Sequence, residues 1–283
     1  MSFFIAEVSS NHSKSIERSL QFVDAAAFIG CDSVKFQLFK IDKLFAPEIL
    51  SKSQAHRARK RWELPLDFLP ILADRCREKG IQFSCTPFYL DAVQELEPYV
   101  DFYKVASYEL LWDDLLIACA LTGKPVIIST GMATMEEITH AVEILRANNC
   151  EPTVLHCTSA YPTPYTEANL SVIQTIREAT GCETGWSDHT VDPGVIHRAI
   201  HKWGATTVEF HLDLEGQGEE FETGHCWLPE TIGPVITQVR HAQLSDGNGV
   251  KEPVPAEIGD RLWRADPSDG LRPFRSVRET FQC

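Results

Sequence analysis

Residues Thr184–Leu212 read TGWSDHTVDPGVIHRAIHKWGATTVEFHL, and the pattern inside this stretch decides the fold. A short, mostly apolar run from Thr184 to Asp188 gives way after Thr190 to helical spacing from Pro193 to Trp203. A second short run follows from Thr207 to Leu212. Such runs suit parallel strands that are covered on both faces. Each also ends in a histidine near a carboxylate, Asp188 beside His189 and Glu209 two residues before His211.

The same strand-then-helix unit recurs outward from this stretch. Upstream, Phe3–Val8 precedes Ile16, Leu20, Val23 and Ala27 at helical spacing, with Gly30 as the stop. Ser33–Phe39 is the second strand. An irregular stretch from Lys40 to Glu63 follows it, with a basic segment, His56–Arg61, that reads as a mobile solvated loop or an anion-attracting lid. Helical spacing returns from Pro65 to Lys79 and stops at Gly80. Ile81–Phe88 with Asp91–Leu96, and Phe102–Ser107 with Trp112–Leu121, repeat the unit. So do Pro125–Gly131 with Thr134–Ala147, where Thr134 and Glu137 form a capping-box pattern, and Pro152–Thr158 with Leu170–Ala179. After Leu212 the last helix runs from Glu230 to about Leu244. Eight alternations predict an α/β fold, a closed parallel (β/α)8 TIM barrel, over residues 1–246. Residues 247–283 read as a C-terminal extension packed on the barrel or on a neighbouring subunit. The alternative is an open doubly wound sheet, but its glycine-rich fingerprint is missing. Gly216-Gln-Gly218 is followed by two glutamates and opens no helix.

A chain of 283 residues suits one such barrel. Its formal charge of −14, with lysines and arginines dispersed, excludes a nucleic-acid surface. Nine cysteines, Cys31, Cys76, Cys85, Cys157 and Cys283 among them, form no CxxC pair and are odd in number. They read as reduced thiols of a cytoplasmic protein. The N-terminus lacks the basic start of a signal peptide, and no apolar run approaches the roughly 20 residues of a membrane helix.

In this fold the site lies where strands end. Those ends carry Glu7, Asn11, Lys35, Gln37, Thr86, Lys104, Ser107, Glu109, Ser129, Ser159, Tyr161, Ser187, Asp188, His189, Glu209 and His211. Histidines on adjacent strands, each with a carboxylate close by, suit a divalent metal, and imidazole plus carboxylate leaves Mn, Zn, Co and Fe open. Lys35 and Lys104 inside strand patterns need an anionic partner. That partner is either a salt bridge to Glu7 or Glu109, or a phosphate and carboxylate held with the hydroxyls of Thr86, Ser107, Ser129 and Ser187. His156 precedes its strand end and reads as a layer-filling residue.

Taken in order, several motifs resemble the sialic acid synthase (N-acetylneuraminate synthase) family, which includes the legionaminate and pseudaminate synthases. They are Ile5–Val8 with Asn11-His12, Val34–Gln37, Cys85–Phe88, Tyr103–Ser107, Ser129–Met132, His156–Thr158, Tyr161–Tyr165 and Trp186–Thr190. The resemblance implies condensation of phosphoenolpyruvate with an aldose, an N-acyl hexosamine or related sugar, to a 2-keto-3-deoxy sugar acid and phosphate. It implies a divalent metal on His189 and His211, Mn2+ first, with Mg2+ or Co2+ as alternatives. Lys35, Thr86, Lys104, Ser107, Ser129, Ser159 and Ser187 match positions around phosphoenolpyruvate, and Glu7 matches an acidic residue beside the metal and the reacting carbons. Gln37, Glu109, Tyr161 and Glu209 match positions facing the sugar or supporting the metal.

The departures concern the acceptor. Glu222-Thr-Gly-His225 stands where the family has Gly-Pro-Asp-His, which makes Glu222 the candidate sugar contact, and Ser159 stands where asparagine is common. The family's antifreeze-like C-terminal domain has no counterpart before Cys283. Its arginine would fall to Arg272 or Arg275, to a separate protein, or to no group. A homodimer is expected. The competing functions are another metal-dependent barrel aldolase or isomerase, and a non-catalytic binding or regulatory barrel. Glu7, Lys35, Lys104, His189 and His211 occurring together favour the synthase.

Overall fold

The structure, a computed structural model, describes residues 1–281; Cys283, one of the nine cysteines, lies outside them. Eight parallel strands run in sequence order: β1 (Phe3–Glu7), β2 (Ser33–Leu38), β3 (Gln82–Pro87), β4 (Phe102–Val105), β5 (Val126–Ser129), β6 (Thr153–Cys157), β7 (Thr184–Asp188) and β8 (Thr207–Leu212). Pairing of β1 with β8 closes them, as in the (β/α)8 barrel that the repeating pattern predicts. A two-residue strand, β9 (Cys226–Trp227), pairs with His211 and Leu212 of β8. The chain divides after Gln243 into two compact units. In the second, Arg278 pairs with Asp269 at 2.8 Å, and Trp263 meets Phe281 edge to face.

The strands alternate more than their sequence suggests, and the alternation has a direction. Phe4, Val34, Phe36, Phe83, Tyr103, Val105, Ile128, Val154, Trp186, Val208 and Phe210 belong to one continuous buried cluster shared with the helices. The residues between them face the barrel axis. At the amino-terminal end these are apolar, Ile5, Phe102, Ile127 and Leu155. Towards the carboxyl end they are polar, Glu7, Lys35, Thr86, Lys104, Ser129, Ser187, Glu209 and His211, and all of them are buried. A polar layer inside a barrel gains nothing from apolar transfer, so its presence marks the end at which the chemistry lies.

Glycine is required in the strand that leads into His189. A Cβ on Gly185 would lie 2.2 Å from the Thr207 carbonyl oxygen and 2.5 Å from Leu155. β7 approaches β8 that closely only because residue 185 has no side chain.

Outside the barrel, the helices α1 (Ile16–Phe28), α5 (Phe68–Lys79), α6 (Leu90–Leu96), α7 (Asp113–Leu121), α8 (Met135–Ala147), α9 (Val172–Thr180), α10 (Pro193–His201) and α11 (Pro229–Ser245) follow the sequence pattern to within a few residues. Thr134 and Glu137 form the expected capping box on α8. The stretch from Lys40 to Glu63 differs from the expectation of irregular chain. It folds as α2 (Ile41–Leu44), α3 (Pro47–Lys52), α4 (Gln54–Ala58) and a 3-10 turn, Arg59–Trp62. Each piece is too short to show a helical period, though Pro47 at the start of α3 and the Ser53 cap on α4 are local signals. The eight described cysteines are free and buried. No helix of the described residues is long and apolar enough to cross a membrane.

Candidate active site at the carboxyl ends of the strands

Parallel pairing sets registered residues side by side on one face of the sheet. Glu7 is thereby flanked by Lys35 and His211, and Ser187 by Cys157 and Glu209. The result is a cavity of about 470 Å³ at the carboxyl mouth. Of the residues expected there, Glu7, Lys35, Gln37, Lys104, Ser107, Ser129, Tyr161, Ser187, His189, Glu209 and His211 line it. Thr86 lies one step back and accepts a hydrogen bond from Lys35 Nζ at 3.1 Å. Ser159 and Glu109 are not lining residues. Yet Ser159 Oγ and Glu109 Oε2 are buried without a hydrogen-bond partner among the described residues. Glu222 is exposed and does not line the cavity, whereas Glu219, Glu220, Thr223 and His225 do.

The two lysines differ in their surroundings. Lys35 contacts Glu7 directly and lies 3.7 Å from Glu209. The salt bridge to Glu7 weighed from sequence is therefore formed. Burial works against the Lys35 cation, but Glu209 and Glu7 outweigh it and move its pKa up. Lys104 donates to Ser129 Oγ at 2.6 Å and to the Val105 carbonyl at 3.0 Å, and its nearest carboxylate, Glu209, is 4.0 Å away. Burial therefore lowers the Lys104 pKa. An ammonium carries three N–H donors. Two are used here, which leaves one for a ligand. The carboxylates split as well. Burial raises Glu7 despite Lys35, whereas in Glu209 the effect of burial is overcome by Lys104 and Lys35 and the pKa falls.

Beside the lysines lies a cluster of imidazoles. Ring centroids are 5.3 Å apart for His189 and His211 and 4.6 Å for His211 and His225, and Tyr161 packs 4.3 Å from His189. His189 Nδ1 donates to the Thr158 carbonyl at 3.0 Å, which leaves Nε2 with its lone pair. Glu220 joins the other two rings, with Oε2 3.1 Å from His211 Nδ1 and 3.7 Å from His225 Nε2. Its other oxygen accepts from the Ser9 and Ser10 hydroxyls. Against its burial, the hydrogen bonds from His211 and Ser9 and the nearby His225 ring hold the Glu220 pKa well below the usual carboxylate range. Donor atoms of His211, Glu220, His225 and Cys226 all lie within 4.8 Å of one another. Burial pushes the Cys226 thiol up and keeps it protonated. The donors in the charge state that a cation needs are thus imidazoles and one carboxylate. This set fits a divalent metal of the Mn, Co or Zn type.

Sequence reasoning missed Glu220 and His225, and it placed Asp188 with the metal residues. In the structure Asp188 accepts from the Trp186 and Trp227 indoles, both at 2.9 Å, and from Thr190 Oγ1 at 2.7 Å. It therefore pins β9 and the turn after β7 rather than facing the cavity. Asn11 has a similar supporting role. Its Nδ2 donates to the Leu212 carbonyl at 3.1 Å, and its Oδ1 accepts the Glu220 N–H at 3.2 Å. His156 donates to the Ala168 carbonyl at 3.0 Å and does not line the cavity.

Residues 22–251 match the NeuB family. A protein of Methanocaldococcus jannaschii, itself uncharacterised, is 34% identical over 260 residues, which covers 90% of this chain and 75% of that one. The N,N'-diacetyllegionaminic acid synthase of Campylobacter jejuni is 31% identical over 268 residues, covering 89% of this chain and 80% of its own. Among solved structures, an N-acetylneuraminic acid (sialic acid) synthetase from Leptospira borgpetersenii superposes with a TM-score of 0.81. Its sequence identity is 29%, over 92% of this chain and 90% of that one.

Proposed function

The chain belongs to the NeuB family, and from that membership we propose that it is a synthase that condenses phosphoenolpyruvate with an aldose, an N-acyl hexosamine or a related sugar. The products are a 2-keto-3-deoxy sugar acid of the sialic-acid class and phosphate. The observation that carries this reading is the pairing, inside one cavity, of two buried lysines with a cluster of three histidines and Glu220.

Phosphoenolpyruvate brings a carboxylate and a phosphate. The free donor of Lys104, the Lys35 ammonium and the hydroxyls of Ser107, Ser129 and Ser187 receive them. The Gly131 N–H donates to Ser107 Oγ at 2.9 Å and holds it in that wall, and Ser159, which does not line the cavity, packs beside Gly131. The aldehyde enters on the histidine side. A divalent metal, Mn2+ first, with Mg2+ or Co2+ as alternatives, supplies Lewis-acid polarisation of the aldehyde oxygen when bound. His189, His211, Glu220 and His225 would hold it. The enol carbon forms a bond to the aldehyde carbon, and the aldehyde oxygen takes up the proton that the Glu7 carboxylate, made more basic by its burial, passes on from the attacking water. Water adds at the carbon that carries the phosphate as Glu7 takes one of its protons; the C–O bond to the phosphate then breaks, the keto group forms, and the remaining hydroxyl proton leaves with the phosphate. Protons and electrons balance, with water consumed and phosphate released. Gln37 and Tyr161 face the sugar, and Glu209, 3.7 Å from the Lys35 ammonium and 4.0 Å from that of Lys104, offsets the charge of both.

The test is consumption of phosphoenolpyruvate across a panel of aldoses with Mn2+ present, with the product acid identified by mass. Turnover that requires both the aldose and the metal is expected. No consumption with any aldose by protein that demonstrably binds the metal would contradict the reading.

A further inference from the structure

The cavity mouth carries a cation that the reaction described above does not use. Arg59 starts the 3-10 turn after α4 and lines the cavity together with Trp62. The basic residues around it are engaged: Arg57 with the Leu50 carbonyl, Lys60 with Asp42 at 3.4 Å and Arg61 with Glu219 at 2.9 Å. Arg59 has no carboxylate partner among the described residues. Its guanidinium lies 5.6 Å from the Phe45 ring centre and 5.7 Å from that of Trp62. Both rings are within cation–π reach of the guanidinium, and its N–H fork has no hydrogen-bond partner among the described residues. The platform is tied down on two sides. Trp62 Nε1 donates to Glu219 at 2.6 Å, and Lys14 Nζ donates to the Lys60 carbonyl at 2.8 Å.

The place of Arg59 along the cavity gives its unused donors a meaning. Lys35 and Lys104 are buried within the barrel, Lys35 against Glu7 and Glu209 and Lys104 against Glu209 alone. The three histidines are buried, while Arg59 is exposed at the mouth. The histidines and Arg59 thus line one cavity at different depths, the histidines in its buried part and Arg59 in its exposed part. We propose that Arg59 is a specificity-determining residue that recognises an anionic group, phosphate or carboxylate, at the end of the acceptor aldose remote from the aldehyde. This rests on the condensation reading above. A neutral hydroxyl would gain little from a guanidinium in water, whereas an anion takes two parallel charge-assisted hydrogen bonds.

Three probes test it: N-acetylmannosamine, its 6-phosphate and the corresponding uronic acid, each assayed by phosphoenolpyruvate consumption with Mn2+. In the wild-type protein one of the two anionic sugars should exceed the neutral one by about tenfold or more in kcat/KM, mainly through KM. The phosphate and uronate arms identify which anion is read. Arg59→Met should reduce that ratio towards one, and Arg59→Lys should restore part of it. Equal use of the neutral sugar by the wild type, or a preference that survives Arg59→Met, overturns the proposal. If none of the three sugars is turned over, the aldose panel decides the reaction, and calorimetric titration of the same three sugars decides Arg59 separately. Tighter binding of an anionic sugar that is lost in Arg59→Met supports the assignment, and equal binding of all three overturns it.

Discussion

Glu109 illustrates how a single carboxyl reports on the site. It closes the 3-10 turn Ser107–Glu109, and burial pushes its pKa up to about 7 against the lowering by Lys104. The ordinary value is 4.5. Between these two values the folded state binds more protons than the unfolded one, so stability falls as pH rises through the window and stays lower above it. The upper bound of the effect is about 3 kcal/mol. Glu109→Gln keeps the shape and removes the titration. In urea unfolding the variant should gain on the wild type by about 1–3 kcal/mol at about pH 8 and differ little near pH 4.5. Parallel pH profiles would show that Glu109 is ionised without penalty. Lys104 makes a different prediction at the same scale. Removing its free donor in Lys104→Met should raise the apparent KM for phosphoenolpyruvate about tenfold or more, and an unchanged value would remove it from the anion contacts.

At the scale of the element, β7 carries Ser187 and leads directly into His189, and its position depends on Gly185. The atom facing an added Cβ is a backbone oxygen at 2.2 Å, which cannot rotate away. Gly185→Ala should therefore cost about 1–3 kcal/mol in urea unfolding and should weaken Mn2+ binding by moving His189. Unchanged stability together with unchanged metal affinity would mean that β7 can shift freely. The strand itself was legible, because apolar runs and helical spacing alternate around it, and the polar residues at its end announced the site. The loop 213–225 was not legible in the same way. Two backbone N–H donors, from Gln217 and Gly218, turn onto Asp213 Oδ2, and Gly218 approaches Asn11 too closely for any side chain. Together with the Asn11 Oδ1 bond to the Glu220 N–H, these contacts turn Glu220 and not Glu222 towards the histidines. The Asn11 bond joins residues 209 positions apart, which no local spacing encodes. His225 reaches the site through β9, and two residues are too few to show a strand period.

Across the whole molecule, the imidazole cluster joins parts of the chain that are distant in sequence. His189 directly follows β7, His211 comes from β8, and Glu220 and His225 come from the loop before β9, while Ser9 and Ser10 after β1 hold Glu220 in place. A cation bound there links the closing strands of the barrel to its first loop, and it binds the folded chain alone because the unfolded chain does not bring these donors together. By linkage, a metal at a hundred times its dissociation constant should stabilise the fold by about 2.7 kcal/mol, several degrees in Tm for a chain of this length. We expect Mn2+ to raise Tm, a chelator to reverse the shift, and His189→Ala and His211→Ala each to reduce or abolish it. Glu220→Gln should reduce the shift as well, because it replaces an ionised donor with a neutral amide. The readout needs no substrate, so it separates the metal site from the reaction. A shift that persists in full in all three variants would place the metal elsewhere on a surface whose formal charge of −14 offers many carboxylates.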